Sequence, residues 1–253
     1  MAAERLPRAA KSSGHLVHMP AHIYIRLGRF ADATRANEAA IEVDRKSPLV
    51  DAQSQYGAFY SAHNLQFLWL TTLLEGRSKQ SADAARALRE HFPDEQLKAM
   101  PGADFFLAAP YWTAVRFGLW AELAQLPEPQ PVFDHLRAQW QWAQALRLAA
   151  QGKPTEARAL LEQVSAFARR LGPDEMAGPT NSFSTLYSLL LAQAEGVLAV
   201  RSGAFADGGA ALERARTIED GLGYDEPPPW WWPTRELLGW AHLQAKAPAR
   251  AEA

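Results

Sequence analysis

The sequence predicts an all-α fold: an α-α superhelix of about ten or eleven helices wound as a right-handed solenoid. Three observations predict it. Helix formers dominate, and no run alternates apolar and polar residues for long between turn residues. Prolines fall mostly between the expected helices, in "FPDE", "LPEPQPVF", "LGPDE" and "YDEPPPWWWP". A phrase also recurs in which a Leu- or Ala-rich helix reaches a glycine, turns, and enters a second helix.

The recurring phrases, in chain order, are "RLGRFADATRANEAAIEVD", "LEGRSKQSADAARALREHFP", "RFGLWAELAQLP", "AAQGKPTEARALLEQV" and "VRSGAFADGGAALERARTIED". Their turn glycines are Gly28, Gly76, Gly118, Gly152 and Gly203, separated by 48, 42, 34 and 51 residues. Phe30, Ser78, Trp120, Pro154 and Phe205 stand two positions after each glycine. In most copies a small residue stands at the fifth position (Ala33, Ser81, Ala157), where it lets the second helix pack closely on the first. The apolar stretch 104–120, "DFFLAAPYWTAVRFGLW", reads as a buried first helix. Thr180, Asn181 and Ser182 read as a helix cap, and Glu226 and Arg235 are placed to pair across the Pro-rich loop. Residues 1–253 read as a single helical-repeat domain, with "LPEPQP" (126–131) the best candidate for a break.

Composition bounds the function. The chain has 253 residues, 48% hydrophobic and 21% charged, with a formal net charge of −2. That balance gives no basic surplus to hold nucleic acid or anionic lipid. Cysteine is absent, so disulfides and thiolate metal sites are excluded. The longest apolar runs, such as "LYSLLLAQA", are too short to span a bilayer, so no membrane insertion is expected. The opening "MAAERLPRAAKSSG" lacks the apolar core of a signal peptide, which makes a cytoplasmic location the expectation. No nucleophile elbow, phosphate-cradling loop or dinucleotide fingerprint is present, and no carboxylate pair has a spacing that argues acid–base chemistry. A non-enzymatic protein is the expectation.

The helix–glycine–helix pattern resembles tetratricopeptide repeats, whose period is about 34 residues, with longer first helices or links. The phrases "HMPAHIYIRLGRF", "HNLQFLW", "EGR", "RFGLW" and "YDEPPPWWWPTRELLG" resemble in their order the landmarks of a bacterial tetratricopeptide-repeat family, over residues 14–239. The resemblance implies further repeats at both ends of longer relatives. This chain is then expected to be a fragment, a shortened member or a non-functional remnant, and export of longer relatives stays open. It also implies histidines where this chain has Gln66 and Gln141.

Residues 14–30, "GHLVHMPAHIYIRLGRF", hold three of the seven histidines. His15 precedes Gly28 by thirteen residues, as His63 precedes Gly76. His18 and His22 precede Gly28 by ten and six. At 100° per residue the three fall within about 60° of helical arc. In tetratricopeptide repeats these offsets line the concave groove, so all four should face one trough. Three readings stand side by side. His15, His18, His22 and His63 could ligate Zn²⁺ or Cu²⁺. Alternatively, the trough could hold a protein or peptide partner without any metal or other cofactor, with His15, His18, His22, Tyr24, Arg26, His63 and Asn64 as its contacts. Or the histidines are structural, His15 sitting at a helix start capped by Ser12 or Ser13 and a helix beginning near Pro20.

Trp230, Trp231 and Trp232 follow three prolines. One reading makes Trp230 and Trp231 an aromatic platform for a Pro-rich peptide or a sugar. The other wedges the indoles between repeats, with at most one ring largely exposed. The expected function is therefore a helical-repeat scaffold for a protein or peptide partner, with a metal-binding protein as the alternative.

Overall fold

A computed structural model describes residues 3, 5, 12–47 and 56–252. It is helical throughout. Among the described residues there is no strand, only an isolated antiparallel bridge between Met176 and Ser182. Two compact units divide the chain, residues 1–117 and 118–253.

The first unit contains α1 (Gly14–His18), α2 (Pro20–Arg26), α3 (Phe30–Lys46), α4 (Ala62–Leu74), α5 (Ser78–Glu90), α6 (Asp94–Lys98) and α7 (Ala109–Phe117). A π-helical segment, Gly57–Ser61, leads into α4, and a 3₁₀ segment, Ala103–Ala108, leads into α7. The apolar stretch from 104 is therefore two elements rather than one helix. It is mostly buried as expected, with Phe105, Leu107, Tyr111 and Trp112 in the core. The core runs from Ala21, Ala33 and Phe67 through Trp69, Leu70 and Leu73 to Leu88. Trp69 Nε1 donates to Thr113 Oγ1 at 2.8 Å, satisfying a buried indole.

The second unit contains α8 (Trp120–Gln125), α9 (Asp134–Ala150), α10 (Pro154–Ala168), α11 (Phe183–Arg201), α12 (Phe205–Asp220), α13 (Thr234–Gln244) and α14 (Pro248–Ala251). Ser182 caps α11, its Oγ accepting from Thr185 N at 3.2 Å. Each helix packs on its sequence neighbours, and α11 also packs on α9 and α13. Helix α11 has 19 residues and is the only described helix long and apolar enough to cross a bilayer. It is also the centre of this unit's core, where Leu186, Tyr187, Leu189 and Leu190 are fully buried. The helical segments outnumber the expected ten or eleven because Pro20 splits the first helix and because α6 and α14 are single turns.

The repeat resides in the turns. All five predicted glycines have positive φ, from +65° at Gly118 to +83° at Gly203. Only glycine enters that region without steric cost. At Gly28 the turn closes with Gly28 N–H to Ile25 O at 3.0 Å and Arg29 N–H to Tyr24 O at 2.8 Å. Gly76, Gly152 and Gly203 close with the same pair of bonds. This double bond satisfies the last carbonyls of the first helix and sets the direction of the second. The small residues at the fifth position, Ala33, Ser81 and Ala157, are fully buried, as the close helix approach requires. At the same position in the Gly203 turn stands Gly208, where a Cβ would meet Val200 Cγ2 at 2.5 Å.

A sixth turn was not legible as a repeat. Lys246 has φ +57°, its N–H bonds Leu243 O at 3.0 Å, and Ala247 N–H bonds His242 O at 2.9 Å. The geometry is that of the glycine turns with a lysine in the left-handed position. A side chain there costs roughly 1 kcal/mol or more. Lys246→Gly is therefore expected to stabilise the chain by about 1 kcal/mol, less glycine's added unfolded-state entropy. A urea midpoint that rises confirms it, and one that falls contradicts it.

Candidate functional site

The histidine trough is built in the first unit by α1, α2 and α4. Pro20 opens α2 and lacks the N–H an unbroken helix would use. Yet Met19, between α1 and α2, keeps helical dihedrals (φ −48°, ψ −33°), and its N–H bonds His15 O. The chain therefore continues its helical path through the break. His18 and His22 stay one turn apart on one side.

His18, His22 and His63 converge, and one ring nitrogen from each lies within 4.8 Å of the others. The Nε2 atoms of His18 and His22 are 2.8 Å apart. His18 is fully buried, and His22 and His63 are half-buried. Phe67 backs all three, with ring centres at 4.6, 4.6 and 4.7 Å.

Asn37 on α3 fixes the chemistry of His18. Asn37 Nδ2 donates to Ala33 O at 2.9 Å, which turns its Oδ1 toward His18 Nδ1 at 2.7 Å. His18 must then carry its proton on Nδ1 and donate it to Asn37. The lone pair is left on Nε2, facing His22 and accepting from His22 Nε2–H. An outer partner of this kind orients metal-ligating imidazoles. Burial is the main reason that His18 is held down to a pKa of about 3, with the neighbouring histidines adding to it and the Asn37 bond opposing. Burial, then His22 and His15, hold His63 down to about 4. His15 is lowered too, by burial and His22, against the pull of Asp44. His15, His18 and His63 are thus neutral at pH 7, the form that binds metal.

A buried carboxylate stands beside the trough. Asp44, at the end of α3, accepts from Asn64 Nδ2 at 2.8 Å, Ser61 Oγ at 3.2 Å and Tyr56 OH at 3.2 Å. Tyr56 OH in turn accepts the backbone N–H of His15 at 3.0 Å. Gly14 makes this possible, since a Cβ there would lie 2.0 Å from Asp44 Oδ1. The Ser13 side chain makes no cap bond, and the start of α1 is held through Tyr56 instead.

Of the sequence-predicted contacts, His15, His18, His22 and His63 come together. The His15 ring packs at a tilt against Tyr60, 4.2 Å between centres, and lies 5.8 and 6.1 Å from the rings of His18 and His63. Arg26 is exposed on the same helical side. Tyr24 and Asn64 are buried and face elsewhere. Tyr24 follows His22 by two residues, about 200° round the helix. Asn64 follows His63 by one and serves Asp44. Sequence reasoning missed Asn37, Asp44, Tyr56, Tyr60 and Phe67. A polar residue inside a helix carries no sign of which distant side chain it meets. The one available signal was the small-residue periodicity of α3, which marks Ala33, Asn37, Ala40 and Asp44 as one inward face.

The tryptophans lie inside the second unit. Trp230, Trp231 and Trp232 are all buried, as the wedge reading expects, and the rings of Trp231 and Trp232 approach that of Trp142. Buried indoles present no platform, so the partner contact expected of Trp230 and Trp231 has no surface here. Gln193 on α11 holds the loop. Its Nε2 donates to Trp232 O and Thr234 Oγ1, and its Oε1 accepts from Trp230 Nε1. The pairing expected between Glu226 and Arg235 is replaced. Arg235 binds Asp220 at 2.8 Å, and Glu226 accepts from Tyr224 OH.

Fold and site together define an all-helical protein with repeated helix–turn–helix units and three converging imidazoles. No protein-family model, curated protein or solved structure matches the chain.

Proposed function

We propose that the chain is a tetratricopeptide-type helical-repeat scaffold that holds one transition-metal ion, Zn²⁺ or Cu²⁺, at His18, His22 and His63. The repeated left-handed turns support the scaffold. The convergence of three imidazole nitrogens within 4.8 Å carries the metal reading. Zn–N bonds of about 2.0–2.1 Å place tetrahedral ligand atoms roughly 3.3 Å apart, so small ring rotations close the trio on an ion. His22 then surrenders its hydrogen bond to His18, and its proton moves to the other ring nitrogen. Asn37 keeps His18 in the ligating tautomer throughout. Three imidazoles without thiolate suit Zn²⁺ and Cu²⁺ alike.

Calorimetric titration of the full chain tests this. One equivalent of Zn²⁺ or Cu²⁺ should bind. His22→Ala and His63→Ala should each abolish stoichiometric binding, and Asn37→Ala should weaken it about 10–100-fold. Binding left unchanged by both histidine substitutions would sink the metal reading.

A protein or peptide partner is the second reading. Leu16 and Ile23 on the helices that carry His15, His18 and His22, and Phe59 and Tyr60 on the segment leading into α4, favour it as exposed apolar side chains. It predicts that Leu16→Ser with Ile23→Ser weakens partner capture and leaves metal titration unaltered.

A further inference from the structure

Resting on the metal reading, we infer that His15 is the fourth ligand and that the ion sits in a closed four-imidazole site joining two successive helix pairs. Four imidazoles on one tetrahedral ion have ring centres roughly 5 Å apart, given Zn–N bonds near 2.0–2.1 Å. The trio shows 4.6, 4.8 and 5.5 Å. His15 shows 5.8 Å to His18 and 6.1 Å to His63. It stands about 1 Å outside the ligating distance, within reach of a side-chain rotation.

Three further observations support it. His15 Nδ1 is buried and has no hydrogen-bond partner. A buried polar nitrogen left unmet is costly, and a metal bond would satisfy it. The backbone of His15 is also pinned, through its N–H, to the Tyr56 hydroxyl, and Tyr56 is held by Asp44. Only the ring has to move. Asp44, a carboxylate that acts on His15, is already engaged, both carboxylate oxygens accepting hydrogen bonds from Tyr56, Ser61 and Asn64. Its charge stays beside the ion without entering the coordination shell.

The consequence is a distinction in kind. Three imidazoles and a water would leave a position for a substrate, as catalytic zinc sites do, whereas four protein ligands close the site. His15, His18 and His22 come from α1 and α2, and His63 comes from α4. A closed ion would clasp the helix pair that turns at Gly28 to the one that turns at Gly76.

X-ray absorption at the zinc edge on the Zn²⁺-loaded full chain counts the imidazoles directly. Wild type should show four. His15→Ala should show three with one light oxygen or nitrogen ligand, and its Zn²⁺ affinity in chelator competition should fall on the order of 100-fold, at least as far as loss of an outer partner lowers it. Three imidazoles in wild type, with an affinity unmoved by His15→Ala, would overturn the fourth ligand and leave the trio standing. A wild-type chain that takes up no stoichiometric zinc would overturn both. The wild-type count alone decides the matter if His15→Ala fails to fold.

Discussion

Acidifying the metal-free protein from pH 7.5 to pH 5 is expected to remove up to about 4 kcal/mol of stability, through His18 and His63. Burial holds these rings at about 3 and about 4 in the folded chain. Unfolded, each titrates near 6.5. Their folded values are depressed, so the unfolded chain binds protons first as pH falls. Their contribution is fully present above pH 6.5. It is lost progressively down to about pH 4 for His63 and about pH 3 for His18. One and a half pH units below 6.5 corresponds to about 2 kcal/mol per ring. That figure is an upper bound, because His63 is only half-buried. Urea unfolding across this range measures the effect, and His63→Gln should remove roughly half of the slope. A wild-type stability that stays flat between pH 7.5 and 5 would show that these rings are not held neutral.

Gln193→Leu is expected to cost about 3 kcal/mol. The substitution keeps the volume but strands the Trp230 indole N–H, the Trp232 carbonyl and the Thr234 hydroxyl, all in buried surroundings. Each unmet group costs about 1–3 kcal/mol, partly offset by the leucine's apolar burial. Tryptophan fluorescence during urea unfolding reports it, since the indoles concerned are the probe. A loss below about 1 kcal/mol would mean that water or a rearranged loop takes over the role of Gln193.

The helical class was legible because its signals are local. A left-handed turn demands glycine wherever a side chain would clash, and five glycines announced five turns. The sixth stayed hidden because Lys246 bears the strain instead. Trp230 to Trp232 were expected to wedge between helices, and their burial follows from their size. The convergence of His18, His22 and His63 was legible from helical arc and from distance to the turn glycine. Tyr24 and Asn64 were grouped with them by proximity in sequence, yet residues one or two apart on a helix face different ways. The Asp44 network could not be read, since Tyr56, Ser61 and Asn64 reach it across 12 to 20 residues. Nor could the π-helical segment at Gly57–Ser61, which carries the exposed Phe59 and Tyr60 beside the trough.

Crystals of the full chain grown with Zn²⁺ and measured on both sides of the zinc absorption edge give the most direct test of the proposed metal site. The account predicts one strong anomalous peak in the first unit, about 2.0–2.1 Å from a ring nitrogen of each of His18, His22 and His63, with His18 Nδ1 still bonded to Asn37. No peak among these rings, or one held only by exposed surface residues, would contradict it.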